Sequence, residues 1–135
     1  MRSVFVDTSY WLALELGNDQ NYQSATRHWE GVRAALPPLV TTSYILDEVV
    51  TFFNSRGYHA KAIQVGRSLL HSPSIQLVHI DEALFFEGWA YFQRHDDKRY
   101  SLTDCISFTV MERLNIARAF TFDKHFAQAG FQIEP

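Results

Sequence analysis

At 135 residues the chain is long enough for one domain and, as a prior, too short for two. Hydrophobic residues make up 47%, with 11 Phe, 6 Tyr and 3 Trp, so disorder is excluded for most of the chain, and no apolar run approaches the ~20 residues of a membrane span. Twelve Lys+Arg against fifteen Asp+Glu give a formal net charge of −3, which excludes an overall basic, non-specific nucleic-acid binder while leaving room for a concentrated acidic site that a divalent cation would neutralise.

Residues 3–6 are an apolar run too short for a helix, and Asp7-Thr8-Ser9 ends it as a helix start does. A helix carrying Tyr10, Trp11, Leu12 and Leu14 follows and breaks at Gly17-Asn18-Asp19. Residues 21–35 read as a second, more polar helix, stopped by Pro37-Pro38. Residues 39–42 form the next strand, and Ser43 caps a helix to about Ser55, with Gly57 as its stop. A helix over 59–70 ends at Ser72-Pro73. Residues 75–80 make a third strand, and Asp81-Glu82 opens a helix containing Leu84, Phe85, Trp89 and Phe92. Residues 95–100 are a charged loop. Ser101-Leu102-Thr103 then leads into an apolar helix reaching about Leu114. Residues 117–122 form a fourth strand ending at Asp123, a short helix runs through Ala129, and Gly130 turns into a last strand at 131–133. Strands alternating with helices, without a tight hairpin signal, mean crossover connections. The expectation is a single α/β domain over 1–135, with a central, mainly parallel sheet of four to five strands covered by helices.

In such sheets ligands bind beyond the carboxyl ends of the strands. Two strands end there in an acid, Asp7 and Asp123, either of which can also serve simply as a helix N-cap. Asp104 shares a helical face with Phe108 and Met111, while Arg113 falls opposite. An acid on an apolar face is paired, protonated or metal-bound. Ser101 to Asp104 also fits the capping-box pattern, which is compatible with a site at the sheet edge. In the helix after the second strand, Glu48 lies ~40° and Asp47 ~60° from the apolar arc, a slight preference for Glu48 as the inward acid. Together Asp7, Glu48, Asp104 and Asp123 define an oxygen-rich pocket suited to Mg²⁺ or Mn²⁺, which activates water and neutralises phosphate charge, so the composition suits phosphodiester hydrolysis.

Other chemistries lack their signatures. There is no Gly-rich phosphate loop, dinucleotide fingerprint or Gly-x-Ser-x-Gly elbow. The histidines at 28, 59, 71, 79, 95 and 125 lack zinc-ligand spacing and read as surface or structural residues. Cys105, the lone cysteine, forms no internal disulfide and reads as a small buried hydrophobe. The N-terminus lacks a small-residue cleavage site, so no signal peptide and a reducing, cytoplasmic setting are expected.

The ordered set Val-Phe-Val-Asp7-Thr-Ser, Glu48, Tyr-Ser-Leu-Thr-Asp104-Cys-Ile-Ser-Phe and Thr-Phe-Asp123-Lys-His-Phe resembles the PIN-domain family, more narrowly its VapC-type toxins. The resemblance implies an α/β/α ribonuclease dependent on Mg²⁺ or Mn²⁺. Asp7 and Asp104 would be the principal metal ligands, and Glu48 and Asp123 would complete the catalytic cluster. Thr8 or Ser9, and Thr121, would orient carboxylates or water. It also implies an RNA substrate, a cognate antitoxin and a homodimer. Tyr10, Trp11, Tyr44, Phe52, Phe53 and Trp89 can serve an antitoxin groove, although burial accounts for most aromatics. Lys98, Arg99 and Lys124 can hold RNA phosphates, but the stretch from Arg94 to Arg99 reads better as a solvated loop face. Two rivals stand beside this reading. One is a non-catalytic PIN-fold module that binds RNA or protein. The other is an aspartyl phosphatase with Asp7 as nucleophile, disfavoured because haloacid-dehalogenase-like enzymes carry an acid where this chain has Ser9.

Overall fold

Short strands flanked by helices bury the middle of a sheet, and here they assemble into one, with the first strand wholly apolar and buried. The computed structural model describes residues 2–135. Its strands are β1 (Val4–Val6), β2 (Leu39–Thr42), β3 (Ile75–Val78), β4 (Arg118–Phe120) and β5 (Gln132–Glu134). They pair in the order β3-β2-β1-β4-β5, and every pairing is parallel. The helices are α1 (Thr8–Glu15), α2 (Tyr22–Val32), α3 (Ser43–Ser55), α4 (His59–His71), α5 (Glu82–Arg94), α6 (Leu102–Arg113) and α7 (His125–Gln128).

From β1 the chain builds outward to β2 and β3, then returns to the other side of β1 to lay down β4 and β5. The strand order therefore reverses between β1 and β4. Helices leaving two neighbouring strands in opposite directions open a crevice at their carboxyl ends, the usual binding place in open α/β sheets. Asp7 follows β1 and Asp123 lies just beyond β4, so both border that crevice.

The core agrees with the sequence periodicity on most helices. α6 is buried continuously from Asp104 to Met111, which fits its packing against α5 and α7. On α5 the buried positions are Leu84, Gly88 and Tyr91, leaving Trp89 42% and Phe92 39% exposed. Gly88 is what lets α5 lie so close to α6. A Cβ there would come 2.4 Å from Ile106 Cγ1 and 3.1 Å from its Cα. Gly88→Val is expected to destabilise the protein by about 1–3 kcal/mol through overpacking, although helix propensity alone favours the substitution. Chemical denaturation followed by circular dichroism checks this, and an unchanged midpoint would refute the close approach.

Several boundaries differ from the sequence reading for local reasons. α2 passes into a 3-10 turn at Arg33–Ala35 before the prolines. Thr42, not Ser43, caps α3 by accepting from the Ile45 N–H at 3.1 Å. Ser43 Oγ instead accepts from Ile80 N at 2.9 Å and ties the β3–α5 link to α3. β4 stops at Phe120, two residues early, because side chains claim the next backbone donors. Phe122 N–H donates to Ser9 Oγ and Asp123 N–H to Thr121 Oγ1, each at 2.9 Å. Asn115, with φ 56°, closes α6 as a left-handed residue, and Ile116 N–H returns to the Met111 carbonyl at 2.8 Å.

Candidate active site

Four elements deliver acids to the crevice. Asp7 occupies the N-cap position of α1 but makes no capping bond with its side chain. Its Oδ2 instead accepts two hydroxyls, Ser9 Oγ at 2.9 Å and Thr121 Oγ1 at 2.8 Å. These hydroxyls also accept the backbone donors that end β4, so one hydrogen-bonded clasp joins β1, α1 and the β4 exit. Glu48, on α3, is partly buried and accepts from Thr8 Oγ1 at 2.6 Å, while its neighbour Asp47 is exposed. The helical wheel leaned slightly to Glu48, and packing of α1 against α3 makes the distinction complete.

Asp104 is held by a capping box. Ser101 N–H donates to Asp104 Oδ2 at 3.1 Å, and Asp104 N–H donates to Ser101 Oγ at 2.9 Å. The cap fixes the carboxylate over the start of α6, where it meets the site, so capping and site placement are one arrangement. Asp123 follows β4, and its Oδ1 accepts from His125 N–H at 2.9 Å. His125 Nδ1 lies 3.2 Å from both Asp104 Oδ2 and Asp123 Oδ1. The Tyr100 ring packs edge-on against the His125 ring, with centroids 5.5 Å apart.

His125 is the member that sequence reasoning missed. A search for close histidine spacing could not find it, because its partners are carboxylates. The available signal was the Asp-x-His spacing of Asp123 and His125 within an Asx turn.

The electrostatics of the cluster are unfavourable by themselves. Burial pushes the Asp7 carboxyl up to about 6, the Thr121 and Ser9 hydroxyls hold it partly down, and the charges of Asp104 and Asp123 add to the rise. Asp104 is raised by burial, opposed by the Ser101 N–H and raised again by Asp123. Glu48 is raised by burial, opposed by Thr8 and raised again by Asp104. Among the described residues, no Lys or Arg pairs with any of these acids. Hydrogen bonds from the protein reach Asp7 Oδ2, Glu48 Oε1, Asp104 Oδ2 and Asp123 Oδ1, and Thr103 adds a side-chain bond to Glu48. The second oxygens of Asp7, Asp104 and Asp123 accept none of these bonds and are free to ligate a cation. Asp104, Asp123 and His125 further offer ligand atoms within 4.8 Å of one another. Hard oxygen donors, excess negative charge and pre-oriented carboxylates fit a divalent cation of the Mg²⁺ or Mn²⁺ type.

Comparison with known proteins decides the lineage. A family model for the PIN domain matches residues 4–132. The chain belongs to the PIN-domain family. It is 37% identical over 129 residues, 95% of each chain, to the 23S rRNA-specific endonuclease VapC20 of Mycobacterium tuberculosis, in two strains. The crystal structure of M. tuberculosis VapC20, described as a sarcin-ricin loop cleaving toxin, superposes with a TM-score of 0.86. That match has 34% identity and covers 98% of this chain and 99% of the other. FitAcB from Neisseria gonorrhoeae shares the fold at a TM-score of 0.69 and 14% identity, over 98% of this chain and 96% of that one. As a PIN domain, the chain has the α/β fold with a parallel sheet that its strand and helix signals indicated. No helix among the described residues is long and apolar enough to cross a membrane.

Proposed function

We propose that this PIN domain is a metal-dependent endoribonuclease acting on ribosomal RNA, and the toxin of a toxin–antitoxin pair. The observation that carries the reading is an uncompensated cluster of four carboxylates and one imidazole at the sheet's switch point. Its support is the 37% identity, over 95% of the chain, to an rRNA endonuclease.

Asp7 and Asp104 are the ligands assigned to a Mg²⁺ or Mn²⁺ ion, with Glu48, Asp123 and His125 completing its surroundings. Such an ion supplies charge neutralisation at the phosphate and lowers the pKa of water. The chain's own residues prepare that chemistry. Ser9 and Thr121 fix the orientation of Asp7, and Thr8 fixes that of Glu48. The capping box fixes Asp104. His125 bridges Asp104 and Asp123, limiting their mutual repulsion and keeping both turned to one point. Pre-orientation of this kind removes reorganisation cost when charge develops on the phosphate. A cognate antitoxin that covers this edge, a second copy of the chain and action in the cytoplasm complete the proposal.

The test is incubation of the purified protein with ribosomes and with isolated 23S rRNA in Mg²⁺ or Mn²⁺. A discrete cut is expected, lost on chelation by EDTA and restored by Mn²⁺. Absence of any metal-induced rise in melting temperature at millimolar Mn²⁺ would favour the non-catalytic binding module instead.

A further inference from the structure

We propose that the seam between α1 and α3 seats a nucleobase next to the scissile phosphate, on a platform formed by Phe52 and Arg56. The proposal rests on the endoribonuclease reading above. A groove of about 420 Å³ lies along this seam, lined by Thr8, Leu12, Asp47, Glu48, Thr51 and Phe52. Two of the lining residues, Thr8 and Glu48, are also the hydrogen-bonded pair of the acidic site, so the groove is continuous with it.

The helical repeat extends the seam. Leu12 is one turn beyond Thr8 on α1, while Phe52 and Arg56 lie one and two turns beyond Glu48 on α3 or at its end, ~6 Å per step. Phe52 is half-buried and packed against the core, so its ring is fixed. Arg56 Cζ sits 3.6 Å from the Phe52 ring centroid. Arg56 Nη1 also donates to the Phe52 carbonyl at 3.3 Å and to Ser55 Oγ at 3.4 Å. A guanidinium set over an aromatic ring is a surface on which an unstacked base lies flat. Arg56 makes no ion pair among the described residues, so its charge is not already engaged by an acid.

Charge decides which part of the nucleotide enters. Asp47 and Glu48 wall the groove and repel phosphate, which leaves the backbone at the metal cluster and sends the base inward. Asp47, exposed and 3.4 Å from Thr51 Oγ1, presents a carboxylate acceptor to the base edge. A carboxylate accepts from an exocyclic amine and is repelled by a carbonyl oxygen in the same place. The groove therefore prefers an amine-bearing base such as cytosine over uracil.

The experiment reads binding without cleavage, using an Asp104→Asn background and fluorescein-labelled oligocytidylate and oligouridylate. Oligocytidylate is expected to bind about tenfold tighter than oligouridylate, and Asp47→Asn to erase that difference. Arg56→Ala and Phe52→Leu are each expected to weaken binding of both RNAs by about tenfold. In the otherwise native chain, the same two substitutions leave the Mn²⁺-induced rise in melting temperature in place, which separates loss of the platform from loss of the metal cluster. Arg56 is exposed, so its variant keeps the test open if Phe52→Leu loosens the core. Unchanged RNA affinity in Arg56→Ala, in a chain that cuts RNA, overturns the groove assignment alone and points to a protein segment as its occupant. Equal affinity for the two oligonucleotides overturns the base-edge contact. A native chain that neither binds nor cuts any RNA overturns the function beneath both.

Discussion

Asp104→Asn is expected to lower RNA cleavage by at least ~10³-fold while the protein stays folded. The reason is a separation of roles within one side chain. The asparagine carbonyl oxygen can still accept from Ser101 N–H, and Ser101 Oγ still accepts from the residue 104 N–H, so the capping box survives. What disappears is the charge, and with it a ligand whose ion contributes several kcal/mol of transition-state stabilisation, each 1.36 kcal/mol being tenfold in rate. Asp104→Ala would confuse the result, because it also removes the acceptor of the Ser101 N–H and so half of the capping box. Cleavage assays run beside thermal melts separate the two effects. Undiminished cleavage by a folded Asp104→Asn protein would sink the assignment.

The second large effect concerns stability. Asp7 is only 5% exposed, and its carboxyl is raised from 3.8 to about 6, first by burial, then by the charges of Asp104 and Asp123 working against the Thr121 and Ser9 hydroxyls. Between those two values the metal-free native state binds more protons than the unfolded chain. Its stability therefore falls as pH rises through that window, and the full cost is present above about 6. A shift of this size corresponds to ~3 kcal/mol. Asp7→Asn should thus stabilise the metal-free protein by up to ~3 kcal/mol at neutral pH and flatten its profile between pH ~4 and ~6. Saturating Mn²⁺ should reverse the order, since the cation stabilises the native protein by mass action and the variant has lost a ligand. Denaturant titrations in EDTA and in Mn²⁺, at several pH values, read this directly. A metal-free Asp7→Asn protein less stable than its parent would contradict the electrostatic account.

Both predictions turn on residues whose importance was visible in the sequence to different degrees. Asp104 stood out because a carboxylate on the face shared by Phe108 and Met111 demands a partner, and the Ser101 spacing supplied a local one. Glu48 and Asp47 were nearly equivalent on the wheel, since the angular difference was small and the neighbouring helix was unknown. Thr8, forty residues away in the chain, is what engages Glu48. Ser9 and Thr121 could be named from the resemblance as orienting residues, but not their shared hold on a single oxygen of Asp7. His125 was passed over because it joins Asp123, two residues away, to Asp104 from another segment. Trp89 and Phe92 were placed on the helix after Asp81, yet their exposure was set by the neighbours that α5 meets.

The sequence by itself determined the alternation of strands and helices, the burial of α6, the glycine stops at 57 and 130 and the acids that end β1 and follow β4. These depend on short-range physics: periodicity, caps and backbone freedom act within a few residues and leave local marks. Only the tertiary structure decided the strand order, the choice of Glu48, the clasp on Asp7, the entry of His125 and the approach of α5 to α6 at Gly88. Those depend on which distant segments become neighbours, and the hydrogen bonds and close contacts that fix them exist only after the chain has closed on itself.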